Sequence, residues 1–340
     1  MFISKNRWIA FTLFVLASYG LVAQAENVKT TLSATDVGKI YFNSAEKDVT
    51  YGQIYKHTAV LDMPITGELR FPPNMTATDK VPVMVLMHGS GGINKGTYAW
   101  VDYFNSLGVA TFVIDSFNPR GFDRTYDKQD LMTPATSSAD ALLALKLLAT
   151  HPRIDSSRIG IIGYSKGAMA AINSSFEKLR SAMVPGNLKY ALHIPLYPLC
   201  NQVGTTTGSP ILLLIGSEDT ATSPVACHAE ADELRRLGAD IKYVEYAGAL
   251  HGFDNGYPHV YIARAQSFRK CAFLADFDRM EAHIEGSNQV ATAAEVRDYA
   301  KSCMKLGYST GSDSSATSKA RIEVKEFITK NFAIGQTLGQ

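Results

Sequence analysis

Apolar residues in this chain fall into two patterns. Short, nearly unbroken runs occupy residues 81–87, 109–114, 158–162, 190–196 and 211–215, as in parallel strands buried on both faces. Helical spacing marks about 97–107, 138–150 and 226–237: the second carries Ala141, Leu142, Leu145 and Leu148 on one face and is closed by Pro152, and the third is closed by Gly238. Stretches at 40–43 and 59–71, the latter ended by Pro72-Pro73, read as an antiparallel start to a sheet, and 242–246 as a later strand. Strand and helix alternate throughout, which predicts an α/β fold, a mostly parallel central sheet with helices on both faces.

The alternation breaks after residue 254. Residues 255–318 form an insertion with a helix near 292–306 and a polar linker at 311–315; a final helix over 319–332 places Val324, Phe327, Ile328 and Phe332 on one face, to pack back on the sheet. Residues 26–39 form a loosely ordered lead-in. The reading is one domain over 26–340, with a core of about 40–254.

The N-terminus has another purpose. Lys5 and Arg7 precede an apolar run over 8–22, Ala23-Gln24-Ala25 supplies the small residues of a cleavage site, and no acid occurs before Glu26. This predicts a signal peptide over 1–25. The run falls short of the ~20 residues of a spanning helix, so no stable membrane insertion is expected after cleavage, and the protein is exported to a periplasm or the medium. Export lets disulfides persist. Each of Cys200 with Cys227 and Cys271 with Cys303 lies within one neighbourhood of the chain, and these are the expected pairs.

A formal net charge of +1 with no basic stripe argues against nucleic acid as a partner. No C-x-x-C, H-E-x-x-H or G-K-[ST] spacing appears, so neither a metal nor an organic cofactor is expected.

The chemistry gathers at strand ends. Gly163-Tyr164-Ser165-Lys166-Gly167 joins a buried strand to an alanine-rich helix. A G-x-S-x-G turn strains its central residue, and small neighbours let strand and helix pack closely enough to hold it. Ser165 is the expected nucleophile, and the Lys166 N–H at the helix start an oxyanion donor. His88-Gly89-Ser90-Gly91-Gly92 ends the strand over 81–87 and offers the second donor, from Ser90 or Gly91. Asp219 closes the strand over 211–215, and His251 stands between glycines past the strand over 242–246. Serine, acid and histidine in that order are those of an α/β-hydrolase triad. His88 is the rival base, better suited to an orienting role; Glu218 and Asp254 are the rival acids. Arg120, past the strand over 109–114, either binds a substrate carboxylate or pairs with a structural acid such as Asp115 or Asp123. Gly91 and Tyr164 are the other candidate substrate contacts.

From about Gly67 to Phe253 the chain resembles the dienelactone hydrolase family of the α/β-hydrolase superfamily. The resemblance is carried by His88-Gly89-Ser90-Gly91-Gly92, Asp115-Ser116-Phe117-Asn118-Pro119-Arg120-Gly121, Gly163-Tyr164-Ser165-Lys166-Gly167, the Asp219 turn and His251-Gly252-Phe253. It implies that Arg120 lies near an arginine that binds a substrate carboxylate. Enzymes that open dienelactones look different in having a cysteine nucleophile and a glutamate where this chain has His88-Gly89-Ser90.

Together these residues predict a serine hydrolase that cleaves carboxylic esters, small-molecule or polymeric, through an acyl-enzyme. Phenolic esters, polyester fragments and lactones all remain open as substrates. The same triad serves acyl transfer to an alcohol or peptide cleavage, and the scaffold also serves non-catalytic binding.

Overall fold

The computed structural model describes residues 28–73, 75–76, 79–287 and 289–335; the expected signal peptide lies outside them. The apolar runs become strands because only a sheet covered on both faces buries every side chain they carry. The central sheet holds β1 (Gly38–Ser44), β2 (Met63–Arg70), β3 (Val81–Met87), β4 (Ala110–Asp115), β5 (Ile154–Tyr164), β6 (Leu192–Leu196), β8 (Ile211–Gly216) and β9 (Ile241–Tyr246), in the order β1-β2-β4-β3-β5-β6-β8-β9. β1 and β2 pair antiparallel with their neighbours, and every other pairing is parallel. The carboxyl ends of β3, β5, β8 and β9 therefore meet one edge, where open α/β sheets bind their ligands.

Helices α1 (Tyr51–Tyr55), α2 (Lys95–Ser106), α3 (Pro134–Leu148), α4 (Lys166–Asn173), α5 (Glu177–Met183) and α6 (Pro224–Arg236) lie between the strands in sequence. α3 begins one turn before the expected start, because Thr133 caps it by accepting the Thr136 N–H and Pro134 tolerates the first helical turn. Among the described residues, no helix is long and apolar enough to cross a membrane.

The insertion is richer than its sequence suggests. β10 (Val260–Ser267) pairs antiparallel with β14 (Lys305–Thr310), while β11 (Phe273–Asp276), β12 (Glu281–Ile284) and β13 (Val290–Ala291) extend the two-residue β7 (Gln202–Val203) into a small sheet. These strands are short and half-exposed, so neither alternation nor a continuous apolar run announces them. The expected helix is α7 (Ala293–Cys303). The expected linker is a helix start instead: Asp313 caps α8 (Ser314–Asn331) by accepting the Ala316 N–H at 2.9 Å, so serines that read as solvated chain occupy its first turn. Val324, Ile328 and Phe332 are fully buried against the core. Both disulfides are present as Cys200–Cys227 and Cys271–Cys303.

Arg120 corrects its expected role. Its guanidinium is buried, with 1% of the side chain exposed, and grips the fully buried Asp140 on α3 bidentately at 2.7 and 2.9 Å. It also donates to the carbonyls of Ser116 and Ala45, and Ser44 Oγ adds a bond to Asp140. The bonds to Asp140 and Ala45 tie the loop after β4 to α3 and to the end of β1, the bond to Ser116 closes that loop on itself, and neither Asp115 nor Asp123 takes part. Asp115 instead turns its carboxylate to the N–H groups of Phe117 and Asn118. A guanidinium with this partner set is a structural tie, not a substrate contact. Removing one partner of a buried pair strands the other charge. Arg120→Met should therefore lower the free energy of unfolding by about 3–5 kcal/mol in urea titration; a loss under about 1 kcal/mol would show that the pair is dispensable.

Candidate active site

At the end of β5 the chain turns into α4 through a conformation that few residues accept. Ser165 has φ 52° and ψ −112°, a strained region for a residue with a side chain. The turn persists because its neighbours permit close approach. A Cβ on Gly163 would lie 2.1 Å from the Gly167 carbonyl oxygen, and one on Gly167 would lie 2.1 Å from the Met87 oxygen and 2.6 Å from that of His88. Gly163 must be glycine for α4 to start against the end of β5, and Gly167 must be glycine for α4 to sit against the end of β3. The Ser165 N–H donates to Leu196 O at 2.9 Å, so the strained residue is also tied to β6.

His251 and Asp219 converge on this serine. His251 Nε2 lies 2.9 Å from Ser165 Oγ, and its Nδ1 lies 2.7 Å from Asp219 Oδ2. Two hydrogen bonds at opposite ring nitrogens fix the tautomer: a carboxylate only accepts, so Nδ1 carries the proton and Nε2 is free to accept from the serine. Asp219 is fully buried, and its carboxylate also accepts the N–H groups of Ala221 and Thr222, both at 2.8 Å, and the Thr222 hydroxyl at 3.0 Å. The rings of Tyr197 and Tyr308 meet the imidazole edge to face, with centroids 4.7 and 5.4 Å away.

The rival residues stand elsewhere. Glu218 is exposed. Asp254 is buried but accepts the Tyr197 hydroxyl and the Trp100 Nε1–H, each at 2.6 Å, and so fixes the tyrosine that packs on His251. His88 Nε2 accepts the Ser116 N–H at 3.2 Å, which leaves Nδ1 to donate to Gly89 O at 2.9 Å. Burial holds its imidazole below the usual range. It links the glycine loop to the loop after β4.

The two expected oxyanion donors are joined through a residue that no motif marks. Lys166 opens α4, where a backbone N–H has no intrahelical acceptor. Its ammonium folds back to donate to the Gln129 carbonyl at 2.8 Å and to Gln129 Oε1 at 3.3 Å, while Gln129 Nε2 donates to Ser90 Oγ at 2.8 Å. Desolvation lowers the Lys166 ammonium to about 7. Gln129 thus couples the glycine loop to the start of α4. A glutamine in an irregular segment gives no signal of this in the sequence.

Two cavities meet at the serine. One, of about 440 Å³, is walled by Met169, Leu199, Phe268, Phe273 and Phe277, with Val296, Ala300 and Met304 of the α7 segment on another side. The other, of about 520 Å³, is lined by Gly91, Asn94, Thr97, Tyr164, Asn255 and His259. Ser90, Ser165, His251 and Tyr308 belong to both. The expected contacts Gly91 and Tyr164 thus face the second cavity. Arg120 lines neither. Tyr308 and the α7 residues come from the insertion, where the sequence shows a helix but not what it covers.

No curated protein matches the sequence. Among solved structures, esterase 2 of Thermogutta terrifontis phosphorylated by paraoxon aligns with a TM-score of 0.51 at 14% identity, over 80% of this chain and 91% of that one. The same esterase phosphoramylated by tabun aligns with a TM-score of 0.50 at 14% identity, over 81% and 92%. A dienelactone hydrolase-like promiscuous phosphotriesterase from metagenomic libraries gives 0.48 at 14% identity, over 86% and 98%. The first two likenesses extend to the fold. Residues 69–280 match the sequence model of the dienelactone hydrolase family, and with the parallel sheet and its strand-end serine already described, the chain belongs to that family and is a carboxylic ester hydrolase of the α/β-hydrolase fold.

Proposed function

We propose that the chain hydrolyses carboxylic esters with Ser165 as nucleophile, His251 as general base and acid, and Asp219 as the group that orients and stabilises the imidazole. One observation carries this reading: His251 bonds both Ser165 Oγ and Asp219 Oδ2, at 2.9 and 2.7 Å. Ser165 Oγ attacks the ester carbonyl as its proton passes to His251 Nε2. The carbonyl electron pair moves onto oxygen, which the N–H groups of Lys166 and Ser90 or Gly91 receive. As the pair returns, the alcohol leaves with the proton held by His251. Water then repeats the sequence on the acyl-enzyme, releasing the acid and restoring the serine. The two disulfides support export to an oxidising compartment, periplasmic or extracellular.

Ser165→Ala should lower kcat/KM for 4-nitrophenyl acetate by about 10⁴-fold or more, with the circular-dichroism spectrum unchanged. Asp219→Asn should cost about 10⁴-fold by favouring the wrong imidazole tautomer. Near-native turnover in the serine variant would remove the reading.

The buried ammonium gives a separate expectation for stability. Lys166 titrates at about 7 in the folded chain, well below the ~10.4 of an unfolded lysine. Between those values the unfolded chain binds the extra proton, so this residue makes stability rise with pH across the window. Relative to Lys166→Met, the wild type should gain thermal stability from about pH 7 to pH 10. Parallel profiles for the two proteins would show that the ammonium is not held in a desolvated site.

A further inference from the structure

We infer that the two cavities sort the halves of the substrate, and that the substrate is an ester of an aromatic carboxylic acid with a hydroxylated alcohol. The inference rests on the esterase reading above and adds what stands on each side of the scissile bond. The geometry begins with the divide. Ser165 and His251 line both cavities, and so does Tyr308, whose ring packs edge to face on the imidazole. An ester bonded to Ser165 Oγ therefore opens onto both spaces, and each can take one half of it.

The two spaces differ in chemistry. The first is walled by Phe268, Phe273, Phe277, Met169 and Leu199. Val296, Ala300 and Met304, spaced four apart along α7 and its cap, add an apolar stripe, flanked by Arg297 and Lys301 of the same helix. Such a wall rewards burial of a flat apolar group, and sulfur beside an aromatic ring is favourable. At about 440 Å³ the space falls within the size of ordinary ligand sites, ample for an arylpropenoyl group. The second sets Asn94, Asn255 and His259 among Tyr126, Tyr257 and Val260. Amides and an imidazole offer donors and acceptors to a polyol, and the tyrosines offer its carbon skeleton aromatic faces.

The order of release assigns the halves. The alcohol departs first into water, while the acid stays covalently attached through the second half-reaction. The polar space suits a group that exchanges with solvent. The apolar space suits the half that remains, because its contacts hold the acyl-enzyme in place until water attacks.

The test compares substrates that change one half at a time. With 4-nitrophenyl cinnamate and 4-nitrophenyl acetate, wild-type kcat/KM should favour cinnamate, and Ala300→Trp, which fills the apolar space, should lower the cinnamate-to-acetate ratio about tenfold or more. Val296→Trp on the same face serves as the second variant should the first fold poorly. With glyceryl and methyl cinnamate, the wild type should favour the glyceryl ester, and His259→Leu should reduce that ratio. Three results would overturn the inference: no acyl preference in the wild type, an acyl ratio unmoved by both tryptophans, or a glyceryl ratio that responds to the tryptophans while the acyl ratio responds to His259→Leu. Hydrolysis that persists in Ser165→Ala is a different failure and strikes the esterase reading itself.

Discussion

The close contact between the start of α4 and the end of β3 is the constraint on which the site depends. It exists because Gly167 carries no Cβ to strike the Met87 carbonyl oxygen at 2.1 Å, while Gly163 likewise leaves room for the Gly167 carbonyl oxygen. The contact holds Ser165 in its strained conformation, with Oγ 2.9 Å from His251 Nε2. Strain of this kind costs on the order of 1–3 kcal/mol and persists only where surrounding packing over-determines it. Here the packing comes from the parallel strands, whose side chains are almost wholly buried.

A second support comes from the insertion, which does more than cover the cavity. Thr310 Oγ1 donates to the His251 carbonyl at 2.7 Å, and the Ser309 N–H donates to Thr220 Oγ1 at 3.0 Å. The Phe268 N–H and Ser267 Oγ reach the carbonyls of Ala221 and Thr220. The turn carrying the acid and the loop carrying the histidine are therefore both bound to β10, β14 and the residues that follow them. A polypeptide that looks like decoration holds Asp219 and His251 in register.

Much of this was legible because chemistry and topology coincide. Ser165, Asp219 and His251 each follow an apolar run, and a parallel sheet delivers all such ends to one edge. The cysteine pairs followed from proximity along the chain. Arg120 was harder: its partner is twenty residues away, on a helix whose neighbouring positions are apolar. A lone acid inside such a helix, Asp140, was the available signal for a buried pair. Gln129 and Tyr308 act through positions that only the folded chain creates, so residue type and spacing give no hint of them. The strands of the insertion escaped notice for the same reason, since pairing partners rather than local pattern define them.

The insertion leaves the core just past His251 and returns at Gly311, whose N–H lies 3.3 Å from the His251 carbonyl oxygen. Its entrance and exit therefore coincide, like the two feet of an arch. Closing such a loop grows more costly only slowly with its length, and the core strands would feel no change in end-to-end span if the arch were lengthened or rebuilt. The scaffold thus permits evolutionary retailoring of the arch, provided its feet keep their grip on the histidine.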